Sequence, residues 1–536
     1  MLKNSKRGIN PKLKIIIICA HLRWDRSDIP DKDFLQPSAG LQIASQIDRD
    51  LYDVTLYHEM QSGPFKSNLA GNYDLVFLTG IQKDFDRMRQ LSFFFRSEGV
   101  VVCAGGSICT LYPDFAENFF DVICIGGIDS VSLIMKDYEK GTLKSRYESP
   151  PGQISDYNID YSLLKKNRIS MSSHLIESSR GCNYGCGFCS LKKEKAVHSV
   201  YSINSVIKSI NSALSSAPFF SIRKWFPTIM FIDNHFSHNK EHMRRVCSYL
   251  KKKRFLAGWS AMVTRDFLSD TEVITEMYKS RCKMLFSGIE SLDKDFLKKN
   301  SKNQNLYHKS DLFEDIDKLH KTGILLMYGY LFDPRIAKVE DMIREVNFLV
   351  ESDTLIFASF FSFISPLLGT EVFNESAKKN ELLPNLRLRD LDGTTLAYNN
   401  SLEDFDVITD FSRDLFYNTE RIVNLRKIIF KTFNFIKKYK IFNLPTIYVL
   451  YRNNFRPFHQ GKNGPGALTR NYIGGIDRLD PQYYNYPENI TSGDWEKYFK
   501  PVYVTDSNGR PLKWISGYGE EDSGVFAQIN AAVSYE

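Results

Sequence analysis

Short apolar runs that end in small residues alternate with longer amphipathic stretches from Lys14 onward. Lys14 to Cys19 is β-branched and bounded by polar residues, the pattern of a buried strand. A helix is predicted near Ser38 to Asp50, then a strand over Asp53 to Tyr57 and another over Leu75 to Thr79, closed by Gly80. A helix over Asp84 to Glu98 leads into Val100 to Cys103, which stops at Gly105-Gly106, and Asp121 to Ile125 stops at Gly126-Gly127. Strands of this kind, spaced by helices, predict an α/β domain with a doubly wound parallel sheet over residues 1–142. Ligands of such sheets sit outside the carboxyl ends of the strands. Those ends carry Thr79, Gly80, Gly105, Gly106, Gly126 and Gly127, where glycine lets a flat or bulky ligand approach the backbone. The same glycines would serve equally as strand-to-helix turns.

Residues 143–170 read as a linker, with Ser149-Pro150-Pro151-Gly152 and little periodicity. Alternation then resumes. Candidate strands are Thr228 to Ile232, Gly258 to Met262, Lys283 to Ile289, Ile324 to Leu331 and Thr354 to Phe363. Repeated βα units of this length predict a partial (β/α) barrel over residues 171–372. The remainder, residues 373–536, reads as a C-terminal α+β extension. Leu402 to Lys440 is helical in pattern, and a Tyr- and Asn-rich tail follows it. Within the tail, Asp506-Ser507-Asn508-Gly509 suits a hairpin turn between Val502–Val504 and Leu512–Ile515. The plain expectation is that this tail packs on the barrel.

Composition narrows the function classes. With 43% hydrophobic and 25% charged residues over 536 positions, the chain is globular and large enough for several cores. A net charge of +7 is mild at this length, and no basic patch interleaved with aromatics points to nucleic acid. The longest uncharged apolar stretch, Thr354 to Gly369, falls short of the ~20 residues of a membrane span. Ile15 to Ile18 reads as strand and not as a signal peptide, so a cytoplasmic location is expected. Nine cysteines, an odd number, argue against a disulfide scaffold.

The chemistry concentrates in Arg180-Gly181-Cys182-Asn183-Tyr184-Gly185-Cys186-Gly187-Phe188-Cys189-Ser190. The spacing is C-x3-C-x2-C, with glycines that let the loop fold tightly. Structural zinc usually takes four ligands in two separated pairs, and no fourth ligand stands at suitable spacing. Three thiolates suit a [4Fe–4S] cluster with one iron left open to a substrate or cofactor.

Here the chain resembles the radical S-adenosylmethionine (SAM) enzymes, whose signature is this motif at the end of the first barrel strand. The resemblance implies that Cys182, Cys186 and Cys189 ligate the cluster and that Phe188 lies beside the adenine of SAM. It gives Asp233, after Phe231-Ile232, to the SAM amino group. Ser260 and Arg265 end the third strand, and Glu290 in Ser287-Gly288-Ile289-Glu290-Ser291 would contact the ribose or methionyl part of SAM. Ser365-Pro366-Leu367-Leu368-Gly369-Thr370 resembles the family's closing turn. His235 and His238, after the second strand, read as exposed loop residues.

A doubly wound domain before such a barrel resembles the cobalamin-binding subclass. The local matches are Pro37-Ser38-Ala39-Gly40-Leu41 and Gly105-Gly106. The resemblance thus adds Ser38 to the strand-end residues as a cofactor contact. The Asp-x-His-x-x-Gly motif that supplies a lower cobalt ligand is absent. The function implied is cobalamin-dependent C-methylation of a small molecule or peptide, with electrons from an external flavodoxin- or ferredoxin-type donor. Two alternatives stay open: a radical cyclase or oxidase that uses cobalamin without methyl transfer, and an N-terminal domain that has lost corrin and docks a protein or peptide.

Overall fold

The computed structural model describes residues 12–22, 36–150, 154–166, 174–191, 193–194, 197–216, 228–253, 258–306, 311–356, 358, 360–393, 395–417, 424–441 and 490–515. The first sheet has six parallel strands: β1 (Leu13–Cys19), β2 (Tyr52–His58), β3 (Leu75–Gly80), β4 (Val101–Gly106), β5 (Val122–Ile125) and β6 (Arg146–Glu148). Their order, β2-β1-β3-β4-β5-β6, reverses between β1 and β3. Such a reversal opens a crevice at the carboxyl ends. Ile15 to Ile18 are wholly buried, and each contributes about 1.5–3 kcal/mol of transfer free energy. The sheet reaches past residue 142, because β6 forms inside the segment read as linker.

The expected helix from Ser38 spans only Ser38–Ala44. Gly40 brings it close to the sheet, since a Cβ there would press on Leu56 and Cys19. The helix over Phe85–Ser97 matches its predicted bounds to within a residue at each end.

The second sheet curls as a half-barrel of six parallel strands in the order β14-β13-β12-β11-β10-β7. These are β7 (His174–Ile176), β10 (Thr228–Phe231), β11 (Gly258–Val263), β12 (Cys282–Glu290), β13 (Leu325–Phe332) and β14 (Phe360–Phe363). A two-stranded ladder, β8 (Ser179–Arg180) with β9 (Ser199–Val200), flanks the first turn after β7. Buried and half-buried positions alternate along β10, β11 and β12. The buried set packs outward under the helices. The half-buried set forms the inner wall, where Met230 pairs with Ser260, Ser260 with Met284, Met262 with Phe286 and Phe286 with Met327.

The C-terminal region opens on the helix Glu371–Lys378 and carries two longer helices, Phe405–Tyr417 and Leu425–Tyr439. Most of the Tyr- and Asn-rich tail lies outside the described residues. Its described part, residues 490–515, packs on the first domain and pairs through its backbone with residues 385–388, beyond the half-barrel. Phe499 meets Phe93 and Phe94, and Trp514 stacks on Phe115 at 4.2 Å. The turn at Asp506 closes as expected, with Gly509 N–H donating to the Asp506 carbonyl, but its second arm becomes a helical turn after Leu512.

Candidate functional site

The cysteine loop leaves β8 and is tied down along its length. Gly181 N–H donates to Asn234 Oδ1 at 3.0 Å, Gly187 N–H to the Asn300 carbonyl at 2.9 Å, and Val372 N–H to the Gly187 carbonyl at 3.1 Å. The result separates two classes of cysteine. Cys182, Cys186 and Cys189 are half-buried, while the other six are buried in the two sheets and their helices. Burial pushes the Cys189 thiol up to about 11, and the neighbouring Cys186 and Cys182 sulfurs add to the rise. The three sulfurs therefore share one electrostatic environment. Among the described residues, no three His, Cys, Asp or Glu side chains converge on a single ion. A cubane asks for something else: each thiolate binds a different iron. Three thiols on a tethered, glycine-bearing loop fit that demand, and deprotonation would accompany binding.

Around the loop stands a set of residues that only the fold brings together. Asp233 is wholly buried, and its carboxylate accepts from Ser178 N–H at 2.7 Å, Ser178 Oγ at 2.5 Å and Ser179 Oγ at 2.7 Å. It thereby fixes the turn that launches the cysteine loop. Glu290 ends β12 at φ +65, a conformation that side chains other than glycine rarely adopt. Its carboxylate folds back over Gly288, where a Cβ would collide with it, and pairs with Lys302 at 3.1 Å. Lys302 Nζ also stands 5.5 Å from the Phe188 ring, and Gln304 Nε2 donates to Cys186 Sγ at 3.3 Å. Asn300, Lys302 and Gln304 thus clamp the loop from one segment. Nothing local in the sequence marks them, because their partners lie at least twelve residues away.

Ser260 sits half-buried on the inner wall between Met230 and Met284. Arg265 is buried against Asp315 at 2.8 Å and belongs to the packing of the helix Leu312–Lys321. His235 is buried, not exposed: it stacks on Tyr184 and shares a hydrogen bond with Thr264. His238 is exposed as expected and lies beside His198, ring to ring at 4.3 Å.

At the first sheet, Thr79 pairs with Gly105 and Gly80 with Gly106. Gly106 has φ +117, and a Cβ there would strike the Gly80 carbonyl, so the sheet itself requires this glycine. Gly105 is different: a Cβ would meet only Cys124, at 3.5 Å, leaving open space above the strand end. Gly126 and Gly127 turn the chain after β5 with φ +79 and +140. Ser38 carries a buried hydroxyl with no hydrogen-bond partner among the described residues. Half-exposed glycine-ended strands, room at Gly105 and an orphaned hydroxyl fit a flat ligand on this edge.

The two carboxyl edges face each other through two clasps. Gln42 donates to Glu177 at 2.5 Å and accepts from Arg180 at 3.2 Å, two residues before Cys182. Gln82 and Leu368 exchange two hydrogen bonds, at 3.0 and 3.2 Å, between the loop after β3 and the closing turn of the half-barrel.

The chain is 26% identical over 325 residues to a bacteriochlorophyllide d C-8(2)-methyltransferase of Chlorobaculum tepidum, covering 58% of this chain and 70% of that one. A bacteriochlorophyllide d C-12(1)-methyltransferase of the same organism is 23% identical over 332 residues, covering 60% and 70%. Among solved structures, the radical SAM methyltransferase TsrM of Kitasatospora setae, with cobalamin and a [4Fe–4S] cluster bound, superposes with a TM-score of 0.53 at 14% identity over 70% of this chain and 79% of that one. The cobalamin-dependent SAM radical enzyme OxsB, with aqua-cobalamin bound, superposes with a TM-score of 0.58 at 14% identity over 97% and 81%. No family-wide sequence profile matches the chain. In sequence this chain is similar to these two methyltransferases, and in fold it is similar to TsrM and OxsB.

Proposed function

We propose that the protein is a cobalamin-dependent radical SAM enzyme that methylates an unactivated carbon of a small molecule or peptide. The observation that carries this reading is the facing of two strand-end sites. A three-cysteine loop stands on one and a glycine-ended sheet edge on the other, clasped through Gln42–Glu177–Arg180 and Gln82–Leu368. When bound, the cluster and the corrin supply one-electron cleavage of SAM and a methyl carrier. The chain's own part is placement. Cys182, Cys186 and Cys189 hold the cluster. Phe188, Ser260 and Glu290 border the space in which SAM would lie, and Asp233 fixes the loop that presents it. Thr79, Gly80, Gly105, Gly126, Gly127 and Ser38 border the corrin edge. The inner wall of Met230, Met262, Met284, Met327 and Phe286 excludes water and suits an apolar part of the substrate. No acid–base pair is needed for such chemistry. The electron comes from an external donor of flavodoxin or ferredoxin type, and the protein works in the cytoplasm. Among the described residues no helix is long and apolar enough to cross a membrane.

A second reading keeps both cofactors without methyl transfer. The same cysteine loop and glycine-ended sheet edge would serve it equally. One experiment separates the two. With substrate and reductant, methyl transfer yields deoxyadenosine and S-adenosylhomocysteine in roughly equal amounts, and methyl-deuterated SAM labels the product. Deoxyadenosine alone, with an unlabelled product, supports the second reading.

A further inference from the structure

We propose that Lys302 is the charge-compensating residue of the cysteine centre, and that its ammonium sets how readily a cluster held there accepts an electron. This rests on the reading of Cys182, Cys186 and Cys189 as cluster ligands. Lys302 follows the helix Lys294–Lys299 and is held by its backbone: its N–H donates to Leu297 at 2.9 Å and its carbonyl accepts from Asn305 at 3.0 Å. The side chain is 10% exposed. A buried ammonium is costly unless paired. Glu290 supplies one partner at 3.1 Å, but the position of Lys302 serves more than that pair. The ammonium lies over Phe188, the residue between two of the ligands, at 5.5 Å. Two residues on, Gln304 donates to Cys186 Sγ at 3.3 Å.

Three thiolates give the centre a net negative charge, and reduction adds one more electron from the external donor without making or breaking a bond. A cation fixed beside the sulfurs in a low-dielectric site favours the more negative, reduced state. Charge and hydrogen bonds to the sulfurs are the levers by which a protein sets a cluster's potential. Glu290 carries the opposite charge beside Lys302, so the two residues act on the centre with opposite sign.

The test uses the full chain, reconstituted anaerobically with iron and sulfide, and reads iron per chain together with the midpoint potential in an EPR-monitored redox titration. Lys302→Met should keep its iron while the reduction equilibrium shifts about tenfold toward the oxidised state, ~59 mV for one electron. Lys302→Arg should restore the midpoint, and Glu290→Gln should move it the opposite way. Lys302→Met with full iron and an unmoved midpoint overturns the proposal. Should Lys302→Met lose its iron, Glu290→Gln decides: an upward shift supports the proposal and an unmoved midpoint overturns it. A wild-type chain that takes up no iron overturns the functional reading itself, and the role of Lys302 with it.

Discussion

Ser178 gives Asp233 two hydrogen bonds, one from its backbone N–H at 2.7 Å and one from its hydroxyl at 2.5 Å. Burial nevertheless dominates, and the carboxyl is pushed up to about 7 from its ordinary 3.8. Between those two values the folded chain binds more protons at this site than the unfolded chain. Stability from Asp233 is therefore complete at low pH and declines as pH rises from about 4 to about 7, then levels off. Asp233→Asn cannot ionise and should lack this decline. Thermal unfolding of the iron-free protein across that window checks it; parallel curves for wild type and variant would refute the assignment.

The residue itself stands where the family resemblance puts it, just past the end of the second barrel strand. What the sequence does not disclose is that Ser178 and Ser179, some fifty residues earlier, occupy its oxygens. The cysteine loop was legible because its three cysteines lie within eight residues. Lys302, Gln304, Gln42 and Gln82 were not, because each acquires its meaning from a partner on another element.

The two classes of cysteine should behave differently. Cys182→Ala, Cys186→Ala and Cys189→Ala should each abolish SAM cleavage and lower iron well below about four per chain. Single Ala substitutions at Cys19, Cys103, Cys109, Cys124, Cys247 and Cys282 remove buried thiols and should leave iron content unchanged. Iron and sulfide assays after anaerobic reconstitution measure both outcomes. Full cleavage activity in any of the first three would count against the cluster.

Gly105 and Gly106 are adjacent but unequal probes of the corrin edge. Gly106→Val places a Cβ against the Gly80 carbonyl at φ +117, so it should cost the fold itself. A Cβ at Gly105 meets only Cys124, at 3.5 Å, so Gly105→Val should fold. Its side chain would project at the strand end where a flat ring would lie. Cobalamin retained after gel filtration, read from its visible absorption, should fall in Gly105→Val while iron content stays intact. Equal retention would place the ring elsewhere.

The parallel sheet and half-barrel follow from apolar runs that the structure reproduces closely at Gly258–Val263 and Leu325–Phe332, whereas the run from Thr354 becomes strand only over Phe360–Phe363. Buried strands need continuous apolar stretches, and that need is visible locally. The docking of residues 490–515 was not visible, because it depends on Phe93, Phe94 and Phe115 presenting one aromatic surface four hundred residues away. An aromatic tail carries no record of which face receives it.

Asp86 is the polar anchor of that docking. It accepts from Arg89 at 2.9 Å, from Arg389 at 2.6 Å and from Val502 N–H at 3.1 Å, and so joins the first domain to two C-terminal segments. Burial alone would raise its pKa, but the Arg389 and Arg89 charges outweigh burial and hold the carboxyl below its usual range. Its stabilisation is thus present above the ordinary carboxylate pKa and is lost as pH falls. Asp86→Ala leaves two buried guanidinium groups without their shared partner, a change that typically costs about 3–5 kcal/mol. The urea unfolding midpoint should drop accordingly, and limited proteolysis should cut residues 490–515 first. Leu13→Ala, at an exposed strand end of the same domain, serves as the control and should change neither. Retention of the wild-type midpoint in Asp86→Ala would show that the aromatic contacts of Phe499 and Trp514, with the backbone pairing to residues 385–388, hold the C-terminal segment without this carboxylate.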